Sequence, residues 1–227
     1  MGLISEDKVE RWILPHLSKG KRGFKTRVCL IKIVLLILKR MKTGCQWREL
    51  VVQEYFPCGE IQWQNVYYYF NKWSKDGSFK NAWIQMLSAN KGYLDMSSVQ
   101  LDGSHAIAKR GGEAVGYQGR KSAKTTNNLF LSDDTGQMLV VAEAQSGNHN
   151  DLYNLTKLFE EMISVLEAAD IDCRGIFLNA DSGFDSDEFK ALCDQKDIQL
   201  NVKANKRSKK EQTTDYIYFD EELYQNR

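Results

Sequence analysis

Two extended apolar runs that each stop on an aspartate constrain this chain more than any other feature: SVQLD, closing at Asp102, and GIFLNAD, closing at Asp181. Between them, NNLFLSDDTGQMLVVAEA predicts two strands joined by a hairpin turn at Asp134, Thr135 and Gly136. Leu152, Leu155, Leu158, Phe159, Met162, Ile163 and Leu166 then recur at helical spacing, predicting a helix over 151–169. A helix over about 186–194 and a strand in IQLNVKA follow. The order strand, hairpin, helix, strand, helix, strand is that of a layered α/β arrangement.

Ionised side chains are costly inside a central strand, and the sites of α/β sheets collect at strand ends. If the two aspartate-ended strands are neighbours, Asp102 and Asp181 repel each other. A divalent cation relieves that repulsion, and an oxygen-only ligand set points to Mg²⁺ or Mn²⁺. Two such ions about 3.5–4 Å apart can clamp the attacking and leaving oxygens of a phosphodiester displacement. Each aspartate taken singly also suits a turn, in Asp102-Gly103 and in Asp181-Ser182-Gly183, so the residues alone leave both readings open. Asp133 and Asp134 belong to the hairpin turn, Asp151 to the opening of the long helix and Asp185 to the start of the next; GNHND also places His149 and Asp151 where they could touch the site, His149 even as a metal ligand.

The residues before 98 follow a different pattern. Ser5 caps a first helix with Val9, Trp12 and Ile13 on its apolar stripe. A second helix runs over about 26–42 and stops at Thr43-Gly44. QWREL predicts a third, with Trp47, Leu50 and Val51 inward, broken at Pro57-Cys58-Gly59. In the fourth, WQNVYYYFNKWSKDG, Trp63, Val66, Phe70 and Trp73 make one apolar face. The opposite face presents Gln64, Tyr68, Asn71, Lys72 and Lys75, with Asn65 at its edge. Gln and Asn can pair bidentately with adenine and Lys neutralises phosphate, so this face has the chemistry of a helix-turn-helix recognition helix. It also suits an ordinary solvated helix face.

Charge divides the chain in the same place. Residues 1–100 carry 16 Lys+Arg against 8 Asp+Glu, and the rest 15 against 22, so a whole-chain charge of +1 hides a basic front and an acidic back. Within the acidic part, HAIAKRGGEAVGYQGRKSAKTTN reads as a long loop without regular structure, holding Lys109, Arg110, Arg120, Lys121 and Lys124 among glycines. Beside Asp102, such a segment would grip phosphates. KANKRSKK is a second basic cluster. The five cysteines form no Cys-x-x-Cys pair and fit a reducing cytoplasm. The longest apolar run, over 28–38, is interrupted by Lys32 and far below the roughly 20 residues of a membrane span, so no membrane partner is expected.

TGCQWREL…VYYYFNKWSKDGSF resembles the N-terminal domain of bacterial insertion-sequence transposases of the "insertion sequence five" group, within the broader insertion-sequence-four-like clan. LDGSHAIAKRGGEAVGYQGRKSAKTTNNLFLSDDTGQ, GNHNDLYNL and NADSGFDS resemble the catalytic domain of the same DDE transposases, in the same order. The resemblance implies an α+β or α/β chain of two domains: a helical helix-turn-helix DNA-binding domain over 1–92 and an RNase H-like mixed-sheet domain over 98–227. It implies Asp102 and Asp181 as catalytic, metal-holding acids, with two Mg²⁺ (or Mn²⁺) ions in the intact site. The family's third acid is a Glu in a Tyr-x-x-Arg-x-x-x-Glu signature. Tyr224 and Arg227 match its first two members and would steady DNA near the cut; the Glu would fall past Arg227.

The resemblance therefore implies Mg²⁺-dependent DNA cleavage at terminal inverted repeats and strand transfer into target DNA, by a chain lacking its last catalytic helix and inactive alone. Double-stranded DNA is the implied partner, a homodimer the implied assembly and the bacterial nucleoid the implied place. The alternative is a non-catalytic DNA-binding protein that occupies element ends and inhibits an intact copy.

Overall fold

The computed structural model describes residues 4–20, 27–109, 112–204 and 219–225. Arg110, Arg227 and the basic residues 206–210 lie outside them. The chain divides into two compact units, residues 1–89 and 90–227.

In the first unit the described helices are α1 (Glu6–Trp12), α2 (Leu30–Thr43), α3 (Trp63–Lys75) and α4 (Ser78–Asn90). Helix α2 buries Ile33 to Ile37 without interruption and ends where Gly44 adopts the left-handed conformation (φ 67°), which costs a glycine little. Around it close Val9 of α1, Val66 and Trp73 of α3, and Leu50, Val52 and Phe56 from the segment between α2 and α3. Trp73 is fully buried, meets the Tyr69 ring at a tilt and the Phe79 ring edge-on, and donates its indole N–H to the Ser18 carbonyl at 3.1 Å.

The expected helix at QWREL is not formed. Two single 3₁₀ turns, Trp47–Glu49 and Val52–Glu54, take its place, with Leu50 extended between them. The segment is confined between Gly44 and Pro57, too short to offset the cost of helix nucleation, and its apolar residues pack individually. Leu50 is buried and Trp47 packs on Phe70, but Val51 faces solvent, contrary to expectation.

In the second unit the strands are β1 (Ser98–Ile107), β2 (Gly116–Gln118), β3 (Ala123–Asp133), β4 (Met138–Val141), β5 (Gln145–Ser146), β6 (Phe177–Ala180) and β7 (Gln199–Val202). Helices α5 (Leu155–Ala168), α6 (Asp187–Gln195) and α7 (Glu221–Gln225) complete it. Among the described residues the strands form one mixed sheet, ordered β2-β3-β1-β6-β7, with β4 and β5 also paired to β3. β1 and β3 are antiparallel, whereas β1, β6 and β7 run parallel. Leaving out the short β2 and β5, the order β4-β3-β1-β6-β7 is the RNase H-like arrangement that was expected. Right-handed crossovers through α5 and α6 are the normal way to join such parallel strands.

Three local expectations are revised. β1 does not stop at Asp102 but runs on to Ile107, because β3 supplies partners throughout, Asp102 opposite Phe130 and Ile107 opposite Thr125. The glycine-rich segment is not without regular structure: β2 pairs with β3, and a 3₁₀ turn at Gly119–Lys121 leads into it. Helix α5 starts at Leu155, not Asp151, behind Asn154 in the left-handed region. Burial pushes the Cys173 thiol up to about 11 and the Cys193 thiol to about 12, so both are packing groups. Among the described residues no helix is long and apolar enough to cross a membrane.

Candidate functional site

The parallel ladder between β1 and β6 aligns Gln100 with Asn179 and Leu101 with Ala180. The next residues are Asp102 and Asp181, and Asp181 keeps an extended backbone (φ −68°, ψ 156°) before the turn at Ser182–Phe184. Strand alternation thus brings both carboxylates to one face, at the same level of neighbouring strands. Both residues are exposed. Asp102 is mid-strand, but it stands where the parallel pairing ends. Its Oδ1 accepts from the Gly103 N–H at 2.8 Å, and Asp181 Oδ1 accepts from the Tyr224 hydroxyl at 2.8 Å.

Below the aspartates this face is polar and buried. Asn201 of β7 donates to Asn179 Oδ1 at 2.7 Å and to the Asp220 carbonyl at 3.0 Å, while its Oδ1 accepts from the Asp220 N–H at 2.9 Å. Gln100 Oε1 and Asn179 Nδ2 are buried without a partner, an acceptor and a donor on paired residues. These amides were missed in the sequence. Their signal is the Leu-Asn pair repeated in two apolar strands, Leu178-Asn179 and Leu200-Asn201.

The opposite face of β1 explains the neighbouring motifs. A Cβ on Gly103 would lie 2.6 Å from Asp151 Oδ1, which also accepts from Asn127 Nδ2 at 3.0 Å. Asp151 is therefore a contact on the far side of the strand from Asp102. Asp133 is fully buried and structural, accepting from the Asp95 and Gln137 N–H groups and the Thr135 hydroxyl. His149 stacks on Tyr153 with ring centroids 3.5 Å apart, and Asp185 pairs with Lys190. Among the described residues, no group of three or more His, Cys, Asp or Glu gathers as a metal site.

Of the basic arm, Lys109, Arg120, Lys121 and Lys124 are exposed. Lys121 Nζ is tied to the His105 carbonyl at 2.6 Å, which leaves the other three better placed to meet an anion.

On α3, Gln64, Tyr68 and Lys75 are exposed along one stripe, and Asn71 is half-buried within it. Asn65 closes a capping box, its Oδ1 accepting from the Gln62 N–H at 2.9 Å. Lys72 Nζ donates to the Ser18 carbonyl at 3.1 Å. Both side chains therefore serve the helix and its packing. With single turns before α3, the tight helix-turn-helix expected ahead of it is not formed; only Asp76-Gly77 separates α3 from α4.

Comparison with known proteins bears on the two units unequally. No curated protein matches the chain. Solved structures that it resembles include "Mos1 transposase paired-end complex with left transposon end", at 9% identity and a TM-score of 0.34, covering 88% of this chain and 68% of that one. Another is "Crystal structure of the Mos1 mariner paired end complex with Mn", at 10% identity and a TM-score of 0.34, covering 87% and 68%. Residues 7–83, which lie in the helical unit, match the family model described as "Putative transposase of IS4/5 family".

Proposed function

We propose that the chain is an insertion-sequence transposase that holds element ends through α3 and acts on phosphodiesters at Asp102 and Asp181. One observation carries the site reading: the β1–β6 ladder ends with Leu101 opposite Ala180, so two exposed carboxylates leave neighbouring strands side by side. Two like charges side by side repel each other, and a bound cation relieves that repulsion. Two carboxylates supply hard oxygen ligands, and Mg²⁺ is commonly held by one or two carboxylates together with substrate phosphates. The donor set therefore fits Mg²⁺ or Mn²⁺, with Asp102 and Asp181 as holders. Such ions, when bound, supply an activated oxygen nucleophile and neutralise charge on the phosphate under attack.

The chain's own residues do the rest. Tyr224 orients the Asp181 carboxylate. Lys109, Arg120 and Lys124 set positive charge on the hairpin that begins beyond Asp102, with Arg110 and Lys121 in the same segment, and Arg227 follows Tyr224 by three residues. On α3 the stripe of Gln64, Tyr68, Asn71 and Lys75 would read DNA, with Asn65 and Lys72 contributing less because the helix already uses them. Joining two ends calls for two copies of the chain.

A second reading, end binding without cutting, is favoured by the sparse donor set, since the described residues gather only a pair of acids here. A duplex bearing the element's terminal repeat separates the two. Gln64→Ala is expected to weaken end binding by about 1–3 kcal/mol and relax sequence preference, whereas Lys75→Ala weakens all sequences alike and lowers the salt slope by about 1. Strand cleavage in Mg²⁺ that disappears in Asp102→Asn supports the catalytic reading. End binding that survives Asp102→Asn with no cleavage by either protein supports the second. Equal affinity for end and random duplexes would sink both.

A further inference from the structure

We infer that Tyr224 is a positioning residue for the metal-holding carboxylate, and that buried Asn201 sets its position through Asp220. The inference rests on the reading of Asp102 and Asp181 as a metal site, and extends it to three residues that do not hold the ion themselves.

The path is continuous in hydrogen bonds. Asn201 is 1% exposed and uses both ends of its amide: Oδ1 takes the Asp220 N–H and Nδ2 donates to the Asp220 carbonyl, much as a neighbouring strand would. The same Nδ2 donates to Asn179 Oδ1, which fixes the amide to β6 two residues before Asp181. Asp220 Oδ1 then accepts from the Leu223 N–H at 2.9 Å, and its carbonyl accepts from the Tyr224 N–H at 3.1 Å. Tyr224 in turn donates its hydroxyl to Asp181 Oδ1. The short helix α7 is thus pinned at its start to the buried sheet face and delivers one phenol to one acid.

A buried asparagine in an apolar strand is costly unless its amide is satisfied. Asn201 is satisfied largely by Asp220, so its polarity is explained by holding that residue. The phenol at the far end has a consequence for metal binding. A hydroxyl donated to an ionised carboxylate is a strong, directional bond, and it selects one carboxylate orientation before any cation arrives. Hydrogen-bond partners of metal-ligating groups typically account for 10–100-fold in metal affinity.

The test is Mn²⁺ titration of the full chain, followed by loss of the free-ion electron paramagnetic resonance signal, with circular dichroism to verify the fold. Tyr224→Phe is expected to weaken Mn²⁺ binding about 10-fold while leaving the fold and its unfolding midpoint unchanged. Asn201→Leu is expected to weaken it similarly, and the double variant to be no weaker than the weaker single one, because the two act in series. If Asn201→Leu does not fold, Asp220→Ala, which removes the bond to Leu223, takes its place in the cycle. Unchanged affinity in Tyr224→Phe, alongside lost binding in Asp181→Asn, overturns this inference and leaves the metal site standing. Fully additive losses overturn the role of Asn201. Binding unchanged in Asp181→Asn overturns the metal site itself and the inference with it.

Discussion

Trp73→Ala is expected to destabilise the helical unit by about 3–5 kcal/mol, the range for removing a large aromatic from a packed core. Trp73 has no exposure, sits within 5.1 Å of the Tyr69 ring and 5.9 Å of the Phe79 ring, and bridges to the Ser18 carbonyl. That carbonyl also accepts from Lys72, so the substitution leaves it partnered and the loss is one of packing and cavity. Domains hold only about 5–15 kcal/mol in total, so a loss of this size takes a large share of what keeps the unit folded. Trp73→Phe keeps most of the volume and is expected to cost far less. Urea unfolding followed by circular dichroism measures both, and a Trp73→Ala shift below about 1 kcal/mol would contradict this packing.

The second large effect is expected at Gly147. Its N–H donates to the Thr125 carbonyl at 3.0 Å, and a Cβ would overlap the Thr125 carbonyl and hydroxyl oxygens. Thr125 is fully buried in β3 and pairs with Ile107 of β1, so the clash falls on backbone that cannot swing away. Overpacking of this kind typically costs about 1–3 kcal/mol, and the backbone obstacle puts Gly147→Ala at the upper end. Gly136→Ala is the informative comparison. It meets no atom within 4 Å and is strained only by its φ of 80°, so its cost should be smaller. Equal urea midpoints for Gly147→Ala and the unsubstituted protein would show that the approach of Gly147 to β3 is not as close as described.

The elements with strong periodicity were legible from the residues alone. Helix α3 could be placed because Trp63, Val66, Phe70 and Trp73 repeat over its whole length, and the β3–β4 hairpin because Asp134, Thr135 and Gly136 interrupt two apolar runs. QWREL misled because five residues cannot distinguish a helix from two single turns, and only the core decides which side chains enter it. The extension of β1 past Asp102 was hidden by Gly103, Ser104 and His105, which carry no apolar alternation; the pairing that holds them comes from β3, remote in sequence. A tertiary contact to the Ser18 carbonyl takes Lys72 from the expected face of α3, and local capping of the helix takes Asn65; only the first was beyond the reach of the sequence. The placing of the two aspartates on neighbouring strands is the reverse case. Each run pointed to a strand closing near a carboxylate, and the parallel ladder aligned the two.

The measurement that tests the central claim most directly is Mn²⁺ binding by the intact chain compared with Asp102→Asn and Asp181→Asn, each with its fold verified by circular dichroism. Paired carboxylates that hold the cation together predict saturable binding that falls at least 10-fold in either single variant and vanishes in the double one. Binding that is the same in all three proteins would contradict the assignment of Asp102 and Asp181 as a metal site.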